Sequence, residues 1–103
     1  MVRFGLAVVR GRSMQPTLRD GDRLLVVYDG TPAAGRIAVV RLPGGVVAVK
    51  RLDVLAEDGW WVSRDNTDEG VDSWSVGRAV DEVIAVALCR VWPRPRRLAS
   101  HTR

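Results

Sequence analysis

Three residue types with special chemistry each occur once in this 103-residue sequence: one cysteine, one histidine and, beside fifteen arginines, one lysine. A single cysteine excludes an internal disulfide and fits a reducing compartment. Cys89 stands inside the apolar run VIAVALCRVW, where it reads as a small buried hydrophobe. His101 lies in the basic C-terminal stretch and reads as an exposed side chain, so the body of the chain has no imidazole to serve as a base. No Cys, His or acid cluster has metal-ligand spacing, and the loop acids fit no calcium loop, so neither a metal nor another cofactor is expected. Long apolar runs are also missing. The opening MVRFGLAVVR holds about six apolar residues in a row, too few for a membrane span or a signal-peptide core. The expectation is a cytoplasmic protein with no membrane anchor.

Charge is scarce in the same sense. From Pro93 onward the chain carries Arg94, Arg96, Arg97 and Arg103 without an acid, which equals the whole net charge of +4. Residues 1–92 therefore balance twelve bases against twelve acids. A neutral body is not a nucleic-acid footprint, and no nucleic-acid partner is expected. A domain over 1–92 followed by a basic tail over 93–103 without fixed structure is the simplest division.

What the chain has in abundance is valine, at 18 positions, in short runs broken by turn signals. That pattern predicts strands near 4–10, 23–28, 36–42, 46–55, 60–63 and 83–92. LPGGVV and EDGWW read as hairpin turns, which makes the sheet mainly antiparallel. MQPTLRD (14–20) is the one stretch that resembles a helical turn. Residues 64–79 form a long polar loop, and loops of that length in a compact domain usually carry function or lack order. The fold class is a mostly β single small domain with one short helical turn. Trp60, Trp61, Trp74 and Trp92 read as core or rim anchors.

The single lysine sits mid-strand, in GGVVAVKRL. Strand alternation puts Lys50 on one face with Val46, Ala48 and Leu52, and Val47, Val49 and Arg51 on the other. An ammonium among aliphatic neighbours loses hydration, which penalises its charged form and lowers its pKa. A lysine depressed in this way can act as a general base, whereas arginine cannot deprotonate. A partner for such a base lies in RGRSMQPTL: Ser13, preceded by Gly11, a residue that lets backbone approach a substrate closely. Serine-lysine pairs are a known form of activated-serine catalysis. The Ser13 backbone N–H would be the natural oxyanion donor.

These residues also carry a resemblance. GRSMQPTLRDGDRLLV resembles the nucleophile box of the type I signal peptidase superfamily, VKRLDV its lysine box, and RDNTDEGVDSWSVG its third box. All three stand in family order. The resemblance implies Ser13 as nucleophile, Lys50 as general base, and Gly11, Ser13 and Met14 around the oxyanion and substrate. It implies a supporting loop of Asp65, Asn66, Asp72 and Ser73, and a fold shared with LexA-type self-cleaving repressors. Arg64 stands where the third box usually opens with glycine. Gly70 replaces a serine that bonds the lysine amine in many relatives, and Trp74 replaces an arginine that forms the loop's salt bridge. Ser73 or Thr67 is then the hydroxyl candidate for Lys50.

Within that superfamily, the small size, the missing anchor, DGWWV and the RVWPRPRRL ending resemble nickel-type superoxide dismutase maturation proteases. The implied substrate is a protein precursor bound as an extended peptide, and the implied reaction is removal of its N-terminal propeptide. Signal peptidase-like processing of another precursor is the nearest alternative. A self-cleaving repressor would need more than the twelve residues before Ser13. A non-catalytic β domain binding RNA or an acidic partner through the arginine-rich tail is the alternative from another class.

Overall fold

The structure, a computed structural model, describes residues 2–98. Seven strands run in chain order as β1 (Phe4–Val8), β2 (Arg23–Val27), β3 (Ile37–Arg41), β4 (Val47–Ala56), β5 (Gly59–Ser63), β6 (Glu82–Trp92) and β7 (Arg96–Arg97), with one helical turn, α1 (Ser73–Val76), before β6. They form one sheet in the order β1-β2-β6-β3-β4-β5, with β7 on β6. Every pairing is antiparallel. Each of the six expected strands is present to within two residues at either end, because each is a short run rich in valine, other aliphatics or aromatics bounded by turn residues.

Two long strands organise the sheet. The first part of β6 pairs with β3 and the rest with β2. In β4, Val47–Arg51 pairs with β3 and Arg51–Ala56 with β5 on its other side. Each face of the sheet buries its own cluster. Val9, Met14, Leu18, Leu24, Val26, Ile37, Ala85 and Ala87 make up the first. Ala38, Val40, Leu42, Leu52, Val62 and Val80 make up the second. Lys50 shares the second face with its cross-strand partner Ala38 and with Ala48 and Leu52, while Arg51 lies opposite Ile37 on the first.

Two expectations change. The chain after Pro93 is not a structureless tail as far as it is described: Arg96 and Arg97 pair with Arg90 and Cys89, and Leu98 packs against the first cluster. The pairing uses backbone groups alone, so the arginine side chains remain exposed. The ordered domain therefore runs past 92 to 98. Residues 99–103, including His101 and Arg103, lie outside the described residues. The 14–20 stretch makes the expected single turn, closed by Leu18 N–H donating to the Met14 carbonyl. The 64–79 loop holds α1, capped by Asp72, whose carboxylate accepts from Ser75 N–H, and ended by Gly77 in the left-handed region. Among the described residues, no helix is long and apolar enough to cross a membrane.

Candidate active site

The turn after β1 brings Ser13 to the middle of β4. The Lys50 Nζ lies 2.9 Å from the Ser13 Oγ, although 37 positions separate them in the chain. At that distance a charged lysine donates to the hydroxyl, and a neutral one accepts from it. Lys50 is 3% exposed. Burial pushes its pKa below the usual lysine range; Asp72 pulls it up and Arg64 pushes it down, each less strongly than burial.

The nucleophile turn is held from two sides. Asn66 donates its backbone N–H to the Ser13 carbonyl at 2.8 Å and its side-chain amide to the Arg12 carbonyl at 2.9 Å. Asp65 accepts the Thr17 hydroxyl at 2.5 Å and two guanidinium bonds from Arg51 at 2.7 and 2.9 Å. Arg51 also donates to the Gly35 carbonyl. The residue beside the lysine thus fastens the 64–72 loop to β4, while Thr17 and Asn66 tie that loop to the turn that carries the serine. Below the turn, the Met14 and Leu18 side chains are locked in the first core cluster.

A pocket of about 300 Å³ opens onto the pair, lined by Gly11–Ser13, Ala48–Lys50 and Glu69–Val71. It shares Arg10, Val46, Ala48 and Val49 with an apolar cleft of about 490 Å³. Leu6–Val8 of β1 and Val47–Val49 of β4 form the cleft's sides, and Val26, Val39, Ile84 and Ala85 also line it. Among the described residues, β1 pairs on one side only and β5 covers β4 only from Arg51 onward, so both strands present free edges.

The family model described as Peptidase S24-like matches residues 3–86. The chain belongs to this family. Membership accounts for the LexA-like, serine peptidase-type β fold, and the match covers all of the site described above. No curated protein and no solved structure matches the chain.

Several residues singled out from this Peptidase S24-like sequence are placed otherwise than expected. Gly11 donates its N–H to the Asp20 carboxylate at 2.7 Å, so that group is engaged away from any oxyanion. Met14 is 1% exposed and belongs to the core, and it does not line the pocket. Ser73 is buried with its hydroxyl accepting from Val62 N–H, which ties α1 to β5 rather than to Lys50. Gly70 has φ +86°, and a Cβ built there would stand 2.7 Å from Ser13 Cβ and 3.6 Å from Lys50 Nζ. A serine in its place would collide with the nucleophile, so in this chain the backbone itself covers the pair.

Arg64 and Asp72 were readable only in part. Asp72 caps α1, and its Oδ2 lies 3.4 Å from both the Arg64 backbone nitrogen and Nε. Arg64 Nη1 donates to the Gly70 carbonyl. The salt bridge that Trp74 cannot form is made from the other end of the loop. Trp74 packs on Trp61 with ring centroids 4.8 Å apart and donates to Asp53. Two further supports, Thr17 and Asp20, escaped the sequence reading. Each lies within seven residues of Ser13 in a polar turn, which was the only available signal.

Proposed function

We propose that the protein is a serine endopeptidase that uses Ser13 as nucleophile and Lys50 as general base. The observation that carries this is the 2.9 Å contact between the serine hydroxyl and a buried amine whose neutral form is favoured by its surroundings. Neutral Lys50 takes the hydroxyl proton as Ser13 Oγ bonds to the scissile carbonyl carbon. Negative charge then develops on the carbonyl oxygen, where the Ser13 backbone N–H is the donor at hand. The lysine ammonium passes its proton to the leaving amine as the C–N bond breaks. Water completes the cycle: its oxygen bonds to the acyl carbon as Lys50 takes its proton, and the ester bond to Ser13 Oγ then breaks as the lysine returns that proton to the serine.

The substrate is a protein segment in extended form. Free strand edges on β1 and on β4 before Arg51 support addition of a strand, and the apolar cleft between them supports pockets for alternate side chains. The precursor is a nickel-type superoxide dismutase, whose N-terminal propeptide would be removed, with small residues just before the cut. This finer reading rests on the sequence resemblance. Any nickel belongs to the substrate.

The test is incubation with a nickel-type superoxide dismutase precursor, followed by mass measurement of the product's N-terminus. A single new N-terminus, absent with Ser13→Ala, supports the reading. Cleavage of other precursors but not this one would move the substrate assignment, and no cleavage of any would defeat the peptidase reading. The rate should climb with pH as Lys50 loses its proton; an acid optimum would contradict its role as base.

A further inference from the structure

We propose that Arg64 is a positioning residue for the Ser13–Lys50 pair, holding the Asp72 carboxylate so that it does not close an ion pair with Lys50. The inference deepens the peptidase reading and rests on it. A base of this kind is disabled by an adjacent carboxylate, because an ion pair fixes the amine as an ammonium that can accept nothing from a hydroxyl. Asp72 is buried and is the carboxylate whose charge draws a proton onto Lys50. Both of its oxygens are turned to other partners. Oδ1 accepts Ser75 N–H at 2.9 Å, and Oδ2 faces the Arg64 backbone nitrogen and Nε.

The same guanidinium bonds the carbonyl of Gly70, the residue that lies so near Ser13 that a Cβ there would stand 2.7 Å from the serine Cβ. One side chain thereby sets two distances: that of a backbone wall from the nucleophile, and that of a negative charge from the base. Other charges around Lys50 do not replace it. Arg10, Arg12 and Glu69 line the pocket, but Arg12 and Glu69 pair with each other at 3.3 Å across an exposed rim. Arg51 and Asp65 bond each other on the opposite face of β4, and β3 presents only Ala38 to Lys50.

The experiment uses the chain's single lysine. Lysine labelled at Cε gives one side-chain resonance, and its pH titration reads Lys50 directly, without any substrate. In Arg64→Gln the midpoint should move up, and Arg64→Lys, which keeps the charge, should stay close to wild type. Adding Asp72→Asn to Arg64→Gln should bring the midpoint back down. In parallel, kcat/KM of Arg64→Gln on a cleaved precursor should fall about tenfold at pH 7, with the loss shrinking as pH rises. A Lys50 titration unmoved by Arg64→Gln, or a loss of activity by one constant factor at every pH, overturns the inference. Should Arg64→Gln not fold, Asp72→Asn alone decides: it must lower the midpoint, and no change overturns the role given to Asp72. Failure of the peptidase reading looks different, since the wild-type chain would then cleave nothing while its lysine still titrated.

Discussion

Lys50 and Arg51 are neighbours on β4, each 3% exposed, and they sit in opposite electrostatic worlds. Arg51 projects into the first face, where Asp65 meets it with two bonds and the Gly35 carbonyl takes a third. Its charge is permanent and fully answered. Lys50 projects into the second face among Ala38, Ala48 and Leu52, with one hydroxyl as its close polar partner in the site. Its charge is the costly form. The strand's alternation alone separates a cation that holds the structure from an amine freed to accept a proton. The cost of the second is borne by the packing that the first secures, since Arg51 anchors the loop that closes over Lys50.

The largest expected effect lies on the Lys50 side. Ser13→Ala and Lys50→Ala should each lower kcat/KM by at least about a thousandfold, with unchanged circular dichroism. Arg51→Met should break the other side. It leaves the Asp65 carboxylate buried without its cation and costs about 3 kcal/mol of unfolding free energy, read by denaturant titration. If Arg51→Met folds as stably as wild type and Lys50→Ala does not fold, the roles given to the two faces are reversed. Gly70→Ala is the intermediate case. Its Cβ must push Ser13 away from Lys50, and a displacement near 1 Å costs roughly a hundredfold in kcat. Unchanged kcat in that variant would mean that the loop yields rather than the nucleophile.

This contrast was partly legible in the sequence. The alternation that separates Lys50 from Arg51 follows from the strand period, and the strand itself from GGVVAVKRL between two hairpin signals. The pairing with Ser13 was reached by elimination of other bases and by the family boxes. Arg51's partner was not legible, because Asp65 comes from a polar loop whose path has no periodic signal. Arg64 read as a departure from the third box, when in space it supplies the guanidinium that Trp74 lacks. Gly11 lines the pocket, as a close backbone approach would require, but its N–H goes to Asp20, a partner with no specific signal in the sequence. The strand β7 was missed because two exposed arginines carry no apolar pattern; backbone pairing to β6 holds them, and Arg96 Nη2 also reaches the Thr17 carbonyl at 3.5 Å. Local apolar patterns specified the sheet, then, while the polar contacts that orient the site join segments far apart in sequence.

The smallest effect sharpens the comparison most. Lys50→Met should stabilise the fold, on the order of 1 kcal/mol at neutral pH, because it removes a group that burial penalises and leaves aliphatic packing in its place. The sign of its pH dependence is fixed. In the folded chain the lysine pKa is lowered, so between that value and the ordinary lysine pKa of about 10.4 the unfolded chain binds the extra proton. Wild-type stability therefore rises with pH across that window, and this contribution is absent from Lys50→Met. The advantage of the variant should be larger at pH 7 than at pH 10, as measured by urea unfolding at both. An advantage that stayed constant with pH would mean that the amine gains its proton as easily in the folded chain as in the unfolded one. Lys50 would then be as comfortable a cation as Arg51.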